Sequence, residues 1–156
     1  MTDFGSVYEG LKLGFLITIL IIIAIKDIKE YRIPNKLLLI AISIRCILFF
    51  VEIIQQKVNI GFVIEKVIIA MVVFVIGTGV NLITRNSIGL GDVKLFATVA
   101  LYMHNSKICD VIVCSIFVMG IISAIMLITR KKGRKDVVPF APAILIAVVV
   151  TGVRYL

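Results

Sequence analysis

The stretch LGFLITILIIIAIKDIKEYRIPNK (residues 13–36) passes from an uninterrupted apolar run directly into a charged one. A membrane-spanning helix needs about 20 mostly apolar residues, so residues 10–27 are read as one transmembrane segment. Pro34 stops helical continuation, because the residue before a proline avoids the helical region. Acidic residues precede the run and no small-residue cleavage site follows it, which favours a retained helix over a signal peptide.

The rest of the chain repeats this pattern. Of its 156 residues 61% are hydrophobic, whereas soluble domains hold roughly 45–50%. The same length criterion gives six segments: 10–27, 37–55, 62–84, 92–104, 108–129 and 137–154. The clearest loops are 55–59, 104–107 and 130–136. We therefore predict an all-α polytopic membrane protein with about six transmembrane helices in a single domain, residues 1–156.

The formal charge of +8 fits a phospholipid surface better than a nucleic acid, because lipid-length apolar segments interrupt the basic residues. More than half of the 17 Lys and Arg residues fall in the first, third and fifth loops. The positive-inside rule then predicts that the amino terminus lies outside and that these loops are cytoplasmic. Asp27 and Asp92 are both expected at the cytoplasmic face of the membrane.

Each of these carboxylates has an ordinary interpretation when it is taken alone. Asp27 can be a charged helix end screened by Lys26 and Lys29. Asp92 follows Gly89, Leu90 and Gly91 and can be a simple helix cap, because a carboxylate is favoured in the first turn of a helix. The two glycines before it, Gly89 and Gly91, also permit backbone conformations and close approaches that other residues do not.

The pair is more informative than either member. Two acids at the ends of different membrane helices, on one side of the bilayer, are costly and usually functional. If they meet, one proton is shared and the pair titrates as a unit. One carboxylate can then deprotonate water while its protonated partner polarises a peptide carbonyl, so no metal or other cofactor is expected.

The remaining polar residues fit less well with catalysis. Asp110 is explained by capping or a hydrated loop, and Glu52 and Glu65 flank the second loop on the predicted outer side. Arg45 lies midway in the second segment, and we expect it to snorkel or to bond a neighbouring helix. The single histidine is in an outer loop and the cysteines form no C-x-x-C pair, so a metal site has almost nothing to build on.

The sequence resembles the type IV prepilin peptidase family, which belongs to the GxGD class of intramembrane aspartic proteases. Two motifs carry the likeness: Asp27 followed by Ile33, Pro34 and Asn35, and Gly89, Leu90, Gly91 and Asp92 followed by Val93, Lys94 and Leu95. The likeness covers nearly the whole chain and implies the six-helix GxGD fold. It also implies that Asp27 and Asp92 are the catalytic dyad.

A third motif, Val138, Pro139, Phe140, Ala141 and Pro142, is similar to the family's Pro-Phe-Gly-Pro at the start of the last helix, with alanine in place of glycine. Its ordinary interpretation is a helix that begins with proline. An extended substrate could also pair with backbone opened by these prolines. We expect this motif to lie beside the dyad.

The resemblance implies a substrate class: precursors of type IV pilins or pilin-like proteins, with a short basic leader before an apolar helix, cut on the cytoplasmic side. The chain begins almost directly with its first helix, so peptidase activity alone is expected, without the methyltransferase activity of longer relatives. The compact form resembles both tight-adherence (Flp) pilus peptidases and archaeal preflagellin peptidases.

Two other classes of function stay open on the residues. A small transporter or channel could use Asp27 or Asp92 to carry a proton or cation, although no inverted repeat is visible. A non-catalytic membrane assembly subunit would use its basic loops only to dock a partner. Ion flux without peptide cleavage would favour the first, and activity that survives loss of both aspartates would favour the second.

Overall fold

A computed structural model of the chain describes residues 3–84, 89–128 and 138–153. The described residues form six helices and no strand, which confirms the predicted all-α class. The helices are α1 (Asp3–Glu30), α2 (Asn35–Ile54), α3 (Ile60–Ile83), α4 (Leu90–Tyr102), α5 (Asn105–Ile128) and α6 (Ala141–Val153).

The helix boundaries differ from the sequence segments in several places. The first helix begins at Asp3 and not at residue 10. The predicted loop 104–107 was wrong, because Asn105 starts α5 and only Met103 and His104 connect α4 to it. The backbone N–H of Lys107 donates to the carbonyl of His104 at 2.9 Å, so polar residues form the first turn of α5. The predicted loop 130–136 lies outside the described residues.

The side chains on the helix surfaces indicate whether the protein is surrounded by lipid or by water. Among the residues that the structure describes, three helices are long and apolar enough to cross a membrane: Asn35–Ile54, Ile60–Ile83 and Asn105–Met126. Their outward side chains are large and apolar, among them Ile47, Phe50, Ile76, Ile83 and Phe117. Because large exposed apolar surfaces are stable in the hydrocarbon core of a bilayer and unfavourable in water, the chain is a membrane protein.

The described residues fall into two compact units. The first contains Met1–Ile33 and Cys109–Leu156. In this unit α1 packs on α6. The contact buries aliphatic side chains from both helices: Leu16, Leu20, Ile23, Ile144, Ala147 and Val148. The pairing places the end of α1, where Asp27 lies, in the same unit as the start of α6.

The α1 helix ends at Glu30, beyond the predicted segment 10–27 and before Pro34. Tyr31 has a φ of 51°, a left-handed conformation that a helix cannot continue through. Its N–H still donates to the carbonyl of Asp27 at 2.9 Å, closing the last turn. Pro34 then stands in an extended conformation as the residue that caps the start of α2.

The second unit is Pro34–Ile108, in which α4 packs against both α3 and α2. The core side of α4 buries Val93, Leu95, Val99 and Ala100. Gly77 makes the close approach of α3 to α4 possible, since a Cβ there would lie 2.7 Å from Cγ1 of Val93. The prediction of one domain over residues 1–156 stays a prediction.

Candidate active site

Asp27 is turned inward from a charged run. It lies in the last turn of α1 between Lys26 and Ile28, both of which are exposed, whereas Asp27 is only 5% exposed. Its Oδ2 accepts the backbone N–H of Ala141 at 2.9 Å. The interpretation of Asp27 as a plain surface charge at a helix end was therefore wrong.

The third motif supplies the N–H donor of this contact. Pro139 is buried and Phe140 half-buried before α6 begins at Ala141. The carbonyl of Phe140 accepts the N–H groups of Ala143 at 3.0 Å and Ile144 at 3.3 Å. Pro142 is the second residue of the helix, a position where a missing N–H costs nothing. Asp27 thus supplies the acceptor that the first free N–H of α6 requires.

The alanine that replaces the family's glycine leaves this contact intact. Ala141 is fully buried, and it is the backbone N–H, present in both residues, that reaches Asp27. The expectation that the third motif lies beside a member of the predicted dyad is met for Asp27.

Asp92 lies in the first turn of α4 and is half-buried. Gly89 precedes the helix with φ −65° and ψ 129°, a conformation open to any residue. The reason for glycine is steric: a Cβ on Gly89 would lie 2.9 Å from Oδ2 of Asp92. The carboxylate folds back over residue 89, and Gly91 sits half-buried within the same turn.

The first and second motifs touch in the second unit. Lys94 Nζ donates to Oδ1 of Asn35 at 3.3 Å, across 59 positions of sequence. Asn35 is the first residue of α2 and directly follows Pro34. Ile33 is half-buried and belongs to the first unit, as the last residue of its segment Met1–Ile33. Asn35 and Lys94 also line a largely apolar cavity of about 800 Å³ between α2, α3 and α4.

The site residues therefore fall into two groups. The first unit holds Asp27 with Pro139, Phe140 and Pro142, and the second holds Asp92 with Gly89, Gly91, Lys94 and Asn35. The catalytic pairing of Asp27 with Asp92 stays a prediction. Within residues 3–84, 89–128 and 138–153, no three His, Cys, Asp or Glu side chains gather as a metal-binding group.

Two buried basic residues were underrated or missed by sequence reasoning. Arg45 is 1% exposed, and its Nε donates to the carbonyl of Leu101 on α4 at 2.9 Å, which confirms the expected bond to a neighbouring helix. Lys66 is 2% exposed, and no role was predicted for it from the sequence. Its position inside the apolar segment 62–84 was the available signal.

These features define a helical membrane protein with a carboxylate at one end of each of two helices. The type IV leader peptidase family matches residues 14–128, a region that contains both carboxylates. The chain belongs to this family, which confirms the resemblance drawn from its motifs. The third motif lies beyond the matched residues.

One curated relative is the prepilin leader peptidase/N-methyltransferase of Bacillus subtilis (strain 168). It is 26% identical to this chain over 147 residues, which cover 90% of this chain and 54% of the relative. The chain thus spans about half the length of that relative. No solved structure matches the chain.

Proposed function

We propose that this protein is a membrane-embedded aspartic endopeptidase that removes the short basic leader from type IV prepilin-like or preflagellin-like precursors. The observation that carries the proposal is the inward carboxylate of Asp27, set on the first N–H of α6 in a chain of a leader peptidase family. A buried carboxylate beside membrane helices is expensive to maintain, and such residues are usually functional.

In the proposed reaction Asp27 and Asp92 act on one water molecule. One carboxylate accepts a proton from the water, whose oxygen attacks the scissile carbonyl carbon. The other carboxyl group, protonated, donates a hydrogen bond to the carbonyl oxygen and stabilises its developing charge. The carboxyl group that took the proton from water then donates it to the departing amine nitrogen as the C–N bond breaks, and no cofactor takes part.

The surrounding motif residues have supporting roles in this proposal. Gly89 leaves room for the Asp92 carboxylate, and the start of α6 fixes the Asp27 carboxylate in place. The contact between Lys94 and Asn35 ties the first turns of α4 and α2 together. Pro34, Pro139 and Pro142 set where helices end and begin.

The substrate and topology are proposed from the family and from charge. The relative's name specifies prepilin leaders. We carry only its peptidase activity to this chain, with a peptidase domain over residues 1–156. The distribution of Lys and Arg supports an amino terminus outside the cell and an active site at the cytoplasmic face of the cytoplasmic membrane.

The test is co-expression of a prepilin-like precursor with wild-type enzyme, Asp27→Asn or Asp92→Asn. Asp110→Asn is the matched control, because Asp110 is an exposed carboxylate near the start of α5. We expect the wild type and the control to shorten the precursor and both site variants to leave it intact. Full processing by either site variant would refute the dyad.

A further inference from the structure

Two buried basic side chains from neighbouring helices meet the carboxyl end of α4. Arg45 of α2 donates through Nε to the carbonyl of Leu101 at 2.9 Å. Lys66 of α3 donates to the carbonyl of Met103. Both contacts lie within the second unit, and both acceptors are backbone groups at the last turn or just beyond it.

Both cations are held from several sides. The Nη1 of Arg45 lies 3.3 Å from Oε1 of Glu52, which is 2% exposed, and the guanidinium stacks over the Phe49 ring at 3.7 Å. Lys66 also donates to Oδ1 of Asn105 at 2.6 Å. Buried charges are tolerated only when they are paired and hydrogen-bonded, and both Arg45 and Lys66 meet this requirement.

The length of α4 explains why donors are needed there. The helix has 13 residues, about 20 Å at 1.5 Å per residue, whereas the hydrocarbon core of a bilayer is about 30 Å thick. The last carbonyls of a helix have no intrahelical partner, and within a bilayer they cannot be left to water. Basic side chains suit this end because they also complement the negative pole of the helix.

The opposite end of the same helix carries Asp92. A 13-residue helix behaves as a rigid rod, so whatever holds its carboxyl end also limits how far its first turn can slide or tilt. We propose that Arg45 and Lys66 are positioning residues that clamp the carboxyl end of α4 and thereby fix the Asp92 carboxylate along the helix axis. This inference rests on the proposed function, in which Asp92 is catalytic.

The kinetic test separates positioning from folding. Arg45→Met alone would leave the Glu52 carboxylate buried without its cation, so it is combined with Glu52→Gln, which removes the pair at lower cost. Lys66→Met removes the second clamp, Lys66→Arg retains a donor, and Lys57→Met is the control at an exposed lysine. Purified enzymes are compared for thermal unfolding and for kcat and KM on a prepilin-like precursor.

We expect Arg45→Met/Glu52→Gln and Lys66→Met to lower kcat about tenfold or more with KM within about twofold, because small displacements of a reacting group can cost about a hundredfold in rate. Lys66→Arg should recover most of the loss, and Lys57→Met should match the wild type. Folded variants with wild-type kcat would overturn the inference. If the double variant does not fold, Lys66→Met decides the question.

A second readout does not depend on activity. Spin labels are placed at Lys36 and Leu90, exposed positions near the starts of α2 and α4, in a chain whose three cysteines are replaced by serine. We expect a narrow distance distribution for the parent and a broadened, displaced one for the clamp variants. An unchanged distribution would overturn the clamp. Cleavage by Asp92→Asn would refute the proposed function instead and leave the distance result standing.

Discussion

At the scale of single residues, Asp27 does for α6 what a capping residue usually does for its own helix. The free N–H groups at a helix start attract a carboxylate both as hydrogen-bond donors and through the helix dipole. Here the acceptor comes from 114 positions away in the sequence. The same side chain therefore has a structural duty as well as its proposed chemical one, and the two can be separated.

Asn and Ala at position 27 should separate these duties. Asp27→Asn keeps an oxygen that can accept the Ala141 N–H, so we expect near-normal unfolding in detergent and no precursor cleavage. Asp27→Ala removes the acceptor as well and should cost about 1 kcal/mol of stability, the usual effect of losing a cap. Thermal unfolding of both proteins is the measurement. An alanine variant as stable as the wild type would show that the contact contributes nothing.

The residue-level predictions succeeded where local sequence determines the outcome. The position of Asp92 in the first turn of a helix and the interruption between helices at Pro34 could be predicted, because glycine, proline and apolar runs determine the backbone conformation of neighbouring residues. The inward orientation of Asp27 does not follow from the sequence KDIKE, because it depends on the start of α6 lying beside it. Lys66 was missed for the same reason: its acceptor, the carbonyl of Met103, is brought near by packing of α4 on α3.

At the scale of helices, α4 and α6 each have one end whose free backbone groups are bound by charged side chains from other helices. The 13 residues of α4 are too few to cross the hydrocarbon core without tilt or a buried end. The start of α6 receives the carboxylate of Asp27, and the end of α4 receives Arg45 and Lys66. A carboxylate at the amino end of a helix and a cation at the carboxyl end both interact favourably with the helix dipole. Each of these two helix ends is therefore stabilised where it would otherwise leave backbone groups without partners.

The packing of α3 on α4 gives an element-scale test. Gly77→Ala would place a methyl group 2.7 Å from the rigid Val93 side chain, whereas nothing lies within 4 Å of a Cβ at Gly79. We expect Gly77→Ala to destabilise the protein and Gly79→Ala to be neutral or stabilising, since alanine is the better helix former by about 1 kcal/mol. Detergent unfolding of both variants is the assay.

A rescue variant completes that test. Val93→Ala should restore the stability lost in Gly77→Ala, because it removes the methyl groups that the new Cβ would meet. Equal stability of the two single glycine variants would contradict the close approach of α3 to α4.

The order and number of helices were predictable because charged and proline-containing stretches separate long apolar runs. The pairing of α1 with α6 was not, since both are apolar and more than a hundred positions separate them. The start of α5 was misplaced because Asn105, Ser106 and Lys107 read as a loop, yet polar residues are also what the first turn of a helix favours.

At the scale of the whole molecule, membrane character rests on the large apolar side chains that the helices expose and on family membership. The orientation proposed from the Lys and Arg distribution has its own test. Cysteine is introduced at Arg32, in the first loop, or at Gln55, at the end of α2, in an otherwise cysteine-free chain; both positions are exposed. An impermeant thiol reagent is then applied to intact cells.

We expect Gln55→Cys to react in intact cells and Arg32→Cys to react only after the membrane is permeabilised, because the first loop is proposed to be cytoplasmic. The cysteine-free chain controls for background labelling. The reverse pattern would place the proposed active site on the outer face.

The most direct test of the whole account uses purified enzyme in proteoliposomes, with a precursor that has a basic leader and an apolar helix and a dye that reports proton flux. Mass spectrometry follows the released leader. We expect wild-type enzyme to cut at the junction of leader and helix, and neither Asp27→Asn nor Asp92→Asn to release any leader. An intact precursor with wild-type enzyme accompanied by proton flux, or cleavage by either variant at the wild-type rate, would contradict it.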